Sequence, residues 1–86
     1  MSQVKELGLI PGNVTPQHFD ALLSFTGIRG EVLVAALRAH FVDGLSQRDA
    51  IQHTGVNQSL LSRKATALQT MSERLEEAAK YYRIGK

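Results

Sequence analysis

The most informative part of the chain spans residues 45–68 and reads LSQRDAIQHTGVNQSLLSRKATAL. Ser46 precedes Asp49 by three residues, the S-x-x-[DE] spacing that satisfies free backbone amides at the start of a helix. Gly55 is typical of a helix end, and a second helix is expected to begin after the capping residue Asn57. The pattern therefore predicts two short helices joined by only three residues.

A connection this short forces the two helices to cross sharply, which is the geometry of the DNA-binding helix-turn-helix. Ala50 is small where the helices would touch, and Gly55 supplies the positive φ that such a turn needs. The sequence thus predicts a helix-turn-helix at about residues 46–68. The apolar side chains expected to hold the crossing are Ile51, Val56, Leu61 and Leu68.

The outward side chains of this segment suit nucleic acid. Glutamine can bond adenine, arginine can bond guanine or enter a narrow minor groove, and serine can reach phosphates or bases. Residues 57–70 contain no acid, whereas Glu73, Glu76 and Glu77 follow further along. The residues expected to contact double-stranded DNA are Gln47, Arg48, Asn57, Gln58, Ser59, Ser62, Arg63 and Lys64.

Three further helices are predicted outside this pair, which gives an all-α fold, a small bundle of about five helices. Thr15-Pro16 resembles a capping residue followed by proline at the first helical position, so the first helix should span about 16–25. The second should span about 30–43, with Gly44 as a left-handed cap. The last should span about 71–82. No segment shows the alternation of a β-strand.

Length and composition set the class of the protein. Eighty-six residues suffice for one small domain, which we place at 7–86 after a flexible N-terminus of residues 1–6. An apolar share of 43% and a charged share of 21% are ordinary for a globular domain and argue against disorder. The net charge of +2 is too small for binding by charge alone.

Several function classes are disfavoured by the same sequence. Without cysteine there is no thiolate zinc site, iron–sulfur cluster or disulfide. His18, His40 and His53 fall on separate predicted helices, so we expect no metal or other cofactor. The turn at 27–30 lacks the Lys-Ser/Thr of a phosphate loop. We expect no enzyme activity and see no small-molecule site.

No membrane partner is expected either. The longest uncharged apolar run, residues 32–37, is too short to span a bilayer. The N-terminal residues lack the charged and apolar regions of a secretory signal. These features predict a cytoplasmic, nucleoid-associated protein.

An ordered set of short segments resembles the adhesin biosynthesis transcription regulators, the PapB-type proteins that control fimbrial operons. The likeness runs over about residues 7–82. It includes Leu9-Ile10-Pro11-Gly12, His18-Phe19, Ile28, Glu31, Ala36-Leu37-Arg38, Val42-Asp43-Gly44, Val56-Asn57, Leu61-Ser62 and Tyr81-Tyr82. The resemblance implies a bacterial transcription regulator that binds AT-rich repeats near fimbrial promoters as an oligomer, with minor-groove contacts.

Two positions depart from that family's usual pattern. Members often carry two adjacent basic residues after the serine that starts the first helix of the pair, whereas here Gln47 precedes the single base Arg48. Aromatic residues often precede the serine of the second helix, whereas here Leu60 and Leu61 do so. The first departure bears on the strength or sequence of DNA contact, and the second on packing.

Self-association is expected on physical grounds as well. One module that places only Arg48, Arg63 and Lys64 near phosphates should bind in the non-specific range of about 10⁻⁴–10⁻⁶ M. Joining two modules adds about 10²–10⁴ through effective concentration, so we expect a dimer or higher oligomer that binds repeated sites cooperatively.

Three alternatives stay open at this point. The helix pair could be an ordinary corner with a solvated polar face, or a protein-binding adaptor or anti-repressor module that does not touch DNA. The stripe Met71, Leu75, Ala78 and Tyr82 could be core or a subunit interface.

Overall fold

The computed structural model describes residues 9–82 and contains four α-helices. They are α1 (Pro16–Thr26), α2 (Glu31–Phe41), α3 (Gln47–Thr54) and α4 (Gln58–Tyr82). No strand occurs within this range, so the all-α prediction is confirmed for it. The predicted flexible segment 1–6 lies outside the described residues.

The prediction of about five helices is wrong, because the fourth and fifth predicted helices are one. The proposed break lay between Leu68 and Met71, but Gln69 and Thr70 are both helical. Neither is proline or glycine, and glutamine is a good helix former, so nothing stops the backbone hydrogen-bond ladder there. The resulting α4 has 25 residues, a length of about 37 Å.

The predicted end of the second helix also needs correction. It ends at Phe41, with Val42 as a right-handed cap, and not at Asp43. Gly44 does have a positive φ of +86°, but it lies in the following turn. A Cβ on Gly12 would stand 3.3 Å from the Gly44 Cα, so two glycines let the N-terminal turn pack closely on this connection.

One hydrophobic cluster holds the four helices together. Helix α4 packs against the other three helices, and α3 packs against α2 and α4. The largest fully buried side chains come from α1, α2 and α4, and they are Phe19, Leu22, Leu37, Phe41, Leu61 and Leu68. Helix α3 is therefore held from two sides, by α2 and by the first half of α4.

The stripe along α4 divides into two parts. Met71 and Leu75 are half-buried and pack against the core cluster. Ala78 is half-buried as well, whereas Tyr82 is 84% exposed. Within the described residues the stripe is thus core over its first half and solvent-exposed at its end.

The first described residue is attached to the middle of α4. The backbone N–H of Leu9 donates to Gln69 Oε1 at 2.6 Å, and Gln69 Nε2 donates to the Leu9 carbonyl at 2.9 Å. One side-chain amide therefore pairs with both polar groups of one residue, as a neighbouring β-strand would. The buried Leu9 side chain joins the core cluster at this point.

Candidate nucleic-acid interface

The connection between α3 and α4 is built by local hydrogen bonds. Ser46 Oγ accepts from the Asp49 amide at 3.0 Å, which confirms the predicted start of α3. Gly55 ends α3 in the left-handed region at φ +77°. No atom lies within 4 Å of a Cβ built on Gly55, so glycine is required there for conformation and not for space.

Side chains in the turn satisfy the remaining backbone groups. Asn57 Oδ1 accepts from the Leu60 amide at 3.0 Å and so caps the start of α4. Thr54 Oγ1 donates to the Ala50 carbonyl at 2.8 Å and accepts from the Val56 amide at 3.3 Å. Asn57, one of the eight predicted DNA contacts, therefore already has a structural role.

The predicted packing inside the helix pair is present. Ala50 and Leu61 are fully buried, and Val56 is 7% exposed. Ile51 is half-buried and packs against the same cluster. The buried small side chain of Ala50 on α3, together with Leu61 on α4, fits the predicted close packing of the pair.

Most of the predicted contact residues are solvent-accessible. Gln47 and Lys64 are half-buried; the exposed members are Arg48, Asn57, Gln58, Ser59, Ser62 and Arg63. The structure ties the two helices together on this side, since Ser62 Oγ donates to Gln47 Oε1 at 3.0 Å. Two predicted contact residues thus form one hydrogen-bonded pair across α3 and α4.

A shallow open depression of about 380 Å³ lies on this side of the pair. Its lining consists of Gln47, Arg48, Ile51, Gln52 and Gln58. Three of the predicted residues are brought together here, whereas Arg63 and Lys64 do not line it. Gln52 was not among the predicted contacts, although its position four residues after Arg48 on α3 could have revealed it.

The basic side chains of α3 and of the first half of α4 form no ion pair with another described residue. Within residues 9–82 the ion pairs join Arg38 to Asp20 at 2.9 Å and Lys80 to Glu77 at 3.4 Å. Neither pair involves the basic residues of α3 or of the first half of α4. The positive charge of Arg48, Arg63 and Lys64 is thus not cancelled by a described ion pair.

Histidine side chains take structural or exposed positions. His40 Nδ1 donates to the Leu45 carbonyl at 2.7 Å, which ties the end of α2 to the residue just before α3. His18 and His53 are exposed. Among the described residues, no three His, Asp or Glu side chains group as metal ligands would.

Over the same range, none of the helices has the length and apolar character to cross a membrane.

Comparison with known families identifies the chain at this point. The model of the family described as "Adhesin biosynthesis transcription regulatory protein" (PapB) matches residues 1–82. The chain belongs to this family. It is also 33% identical over 67 residues to Regulatory protein FanB of Escherichia coli, an alignment that covers 78% of the chain and 68% of FanB. No solved structure matches the chain.

Membership in the adhesin biosynthesis regulators confirms the resemblance and makes the chain a member of a bacterial family of transcription regulators. The structure also shows where the residues that depart from the family's usual pattern, Gln47, Leu60 and Leu61, lie. Leu61 is fully buried in the core cluster, and the half-buried Leu60 packs against it. Gln47 is neutral, and its side-chain oxygen is bonded to Ser62.

Proposed function

We propose that the chain controls fimbrial or adhesin genes by binding double-stranded DNA through α3 and α4, used as a helix-turn-helix. The observation that supports this most is the depression that brings Gln47, Arg48 and Gln58 together from the two helices. In this proposal Arg48 on α3 faces a phosphate, and the glutamines of the depression and the first turns of α4 face the bases. The protein acts in the cytoplasm, on the nucleoid.

The chemistry of the depression favours A·T base pairs. Gln47, Gln52 and Gln58 carry three primary amides, and a glutamine amide can bond the N6 and N7 atoms of adenine together. Arg48 beside them suits a phosphate at the edge of the same groove. This combination supports the proposal that the sites are AT-rich.

The small positive charge of α3 and α4 explains why the protein would need repeated DNA sites. Arg48, Arg63 and Lys64 are the basic residues of α3 and of the first half of α4. Neutralising about three phosphates gives weak, salt-sensitive binding. Two or more copies on neighbouring repeats would raise the affinity by about 10²–10⁴. We therefore propose a self-associating protein that binds its sites cooperatively.

Footprinting across a fimbrial promoter that contains AT-rich repeats tests the proposal. We expect protection of the repeats, with no protection of a GC-rich duplex of equal length. Gln58→Ala should weaken the protection by about 1–3 kcal/mol of binding free energy, because it removes an exposed amide from the depression. Gln17→Ala is the matched control, since Gln17 is also exposed but lies on α1.

The same experiment separates DNA binding from a protein-binding role. An adaptor or anti-repressor would leave promoter DNA unprotected at every concentration. Protection that is indifferent to sequence, or that survives Gln58→Ala unchanged, would also contradict the proposed site.

A further inference from the structure

Helix α2 carries apolar side chains on its outer side as well as on the side that faces the core. Its sequence is EVLVAALRAHF, in which only Glu31, Arg38 and His40 are not apolar. One side supplies Leu33 and Leu37 to the core. A surface helix normally carries mostly polar residues on its outer side, whereas here Val32, Val34 and Ala35 lie there beside the charged Glu31 and Arg38. The outer side of α2 therefore has the composition of a contact surface.

Four residues on that outer side share one helical face. Glu31, Val34, Ala35 and Arg38 have the i, i+3, i+4, i+7 spacing of a helix–helix contact. Together with Gly30 they line a shallow groove of about 500 Å³. Glu31 and Ala35 are exposed, and the other two are half-buried. We call these four residues the outer α2 face.

We propose that the outer α2 face binds the same face of a second copy of this chain, with the two α2 helices antiparallel about a two-fold axis. The charges on this face are self-complementary. Glu31 and Arg38 lie two turns apart, and their midpoint falls between Val34 and Ala35. An axis through that midpoint places Glu31 of each copy against Arg38 of the other, as an isologous interface requires.

Arg38 is already held in the position that this contact needs. Its guanidinium bonds Asp20 at 2.9 Å and lies 5.0 Å from the centre of the Phe19 ring. Arginine has five N–H donors, so the bond to Asp20 leaves donors for a second carboxylate. The small side chain of Ala35 at the centre allows the two helices to approach closely.

The size of this surface sets the expected strength. A single pair of three-turn helices buries less than the roughly 1,200 Å² of a standard stable interface, so the dimer should be weak. Such a weak dimer forms readily when two copies are bound to neighbouring DNA sites, because their effective concentration is then high. The inference names a surface for the self-association in the proposed function and rests on that part of it. It can be tested without DNA.

Sedimentation equilibrium of the full chain, up to about 1 mM, measures the dimer directly. Ala35→Lys should raise the dimer dissociation constant at least about tenfold, because it places two like charges at the axis. Phe25→Lys is the control, since it removes an apolar side chain that is 61% exposed but lies on α1. Thermal unfolding should show both variants folded.

Charge reversal provides the sharper test. Glu31→Arg alone and Arg38→Glu alone should each weaken the dimer, because each sets like charges against each other. An equimolar mixture of the two variants should restore it as a heterodimer. Glu31→Arg is the cleaner of the two, since replacing Arg38 also breaks its bond to Asp20.

Three results would overturn the proposal. They are a parent chain that stays monomeric, a dimer unaffected by Ala35→Lys, and a dimer lost with Phe25→Lys instead. Failure of the proposed DNA site looks different. In that case promoter DNA stays unprotected while the mixed charge variants still associate.

Discussion

Ser62 on α4 donates a hydrogen bond to the side-chain oxygen of Gln47 on α3, with 3.0 Å between Ser62 Oγ and Gln47 Oε1. The bond joins the first residue of α3 to the second turn of α4. It leaves the Gln47 Nε2 hydrogens available as donors. Because an amide held in one orientation loses less freedom on binding, this pair favours the contact with DNA that we propose for Gln47.

Ser62→Ala should weaken DNA binding several-fold while changing the free energy of unfolding by only about 0.5–1.5 kcal/mol. The substitution frees the Gln47 amide but removes little packing, since Ser62 is exposed. Fluorescence anisotropy with an AT-rich duplex and thermal unfolding measure the two effects. Ser62→Thr keeps the hydroxyl and should bind like the parent chain. Equal losses in both variants would show that the hydrogen bond does not position Gln47.

Ala50→Glu should destabilise the protein by several kcal/mol. Ala50 is fully buried on α3, so a carboxylate there would lose its hydration without a partner. Thermal or urea unfolding followed by circular dichroism measures this. Gln52→Ala serves as a control because Gln52 is exposed on the same helix and lies outside the capping motif. A melting temperature for Ala50→Glu within a degree of the parent would mean that α3 is not packed as described.

Gly55→Val should cost about 1–2 kcal/mol of stability or more, since Gly55 has φ +77° and a branched side chain disfavours that region. The surroundings leave room for a Cβ, so the loss comes from the backbone and not from a clash. Gly55→Asn should cost less, because asparagine tolerates the left-handed region. If Gly55→Val and the parent have the same melting temperature, this turn does not need a residue with left-handed backbone conformation at position 55.

Features set by neighbouring residues were predictable. The Ser46 cap, the Gly55 turn and the Asn57 cap follow from side chain–backbone hydrogen bonds within three residues, so the sequence pattern suffices. The start of α1 behind Thr15 was predicted for the same reason.

Features set by distant residues were not predictable in this way. The predicted break between the fourth and fifth helices was wrong for a different reason, since the joining residues carry no stop signal and the sequence itself allows a continuous α4. Gln69 looked like an ordinary joining residue, since its partner Leu9 lies sixty residues away. Gln52 became a candidate contact only when the depression between α3 and α4 was visible.

Gln69→Leu should destabilise the attachment of the N-terminal segment by about 1–3 kcal/mol, because it removes both hydrogen bonds to Leu9. Amide hydrogen exchange at Leu9 should become markedly faster, with smaller changes in α3. Gln69→Glu keeps an acceptor for the Leu9 amide but no donor, so it should give an intermediate effect. Unchanged exchange at Leu9 in Gln69→Leu would contradict this attachment.

Arg63→Ala should lower DNA affinity without changing stability, because Arg63 is exposed on the second turn of α4 and forms no ion pair with a described residue. A contact to a base edge or a narrow minor groove predicts a loss of about 1–3 kcal/mol and weaker sequence preference. A contact to phosphate alone predicts an even loss across sequences and a salt slope smaller by about one. Titrations at several salt concentrations, with AT-rich and GC-rich duplexes, distinguish the two.

Arg74→Ala is the matched control for this prediction. Arg74 is exposed on the same face of α4, about 16 Å further along the helix, and loses the same charge. It stands among the acids Glu73, Glu76 and Glu77, which disfavour a phosphate nearby. We therefore expect Arg74→Ala to keep parent affinity and salt slope. If Arg63→Ala behaves in the same way, the contact with DNA lies on Gln47, Arg48 and the start of α3 and not on α4.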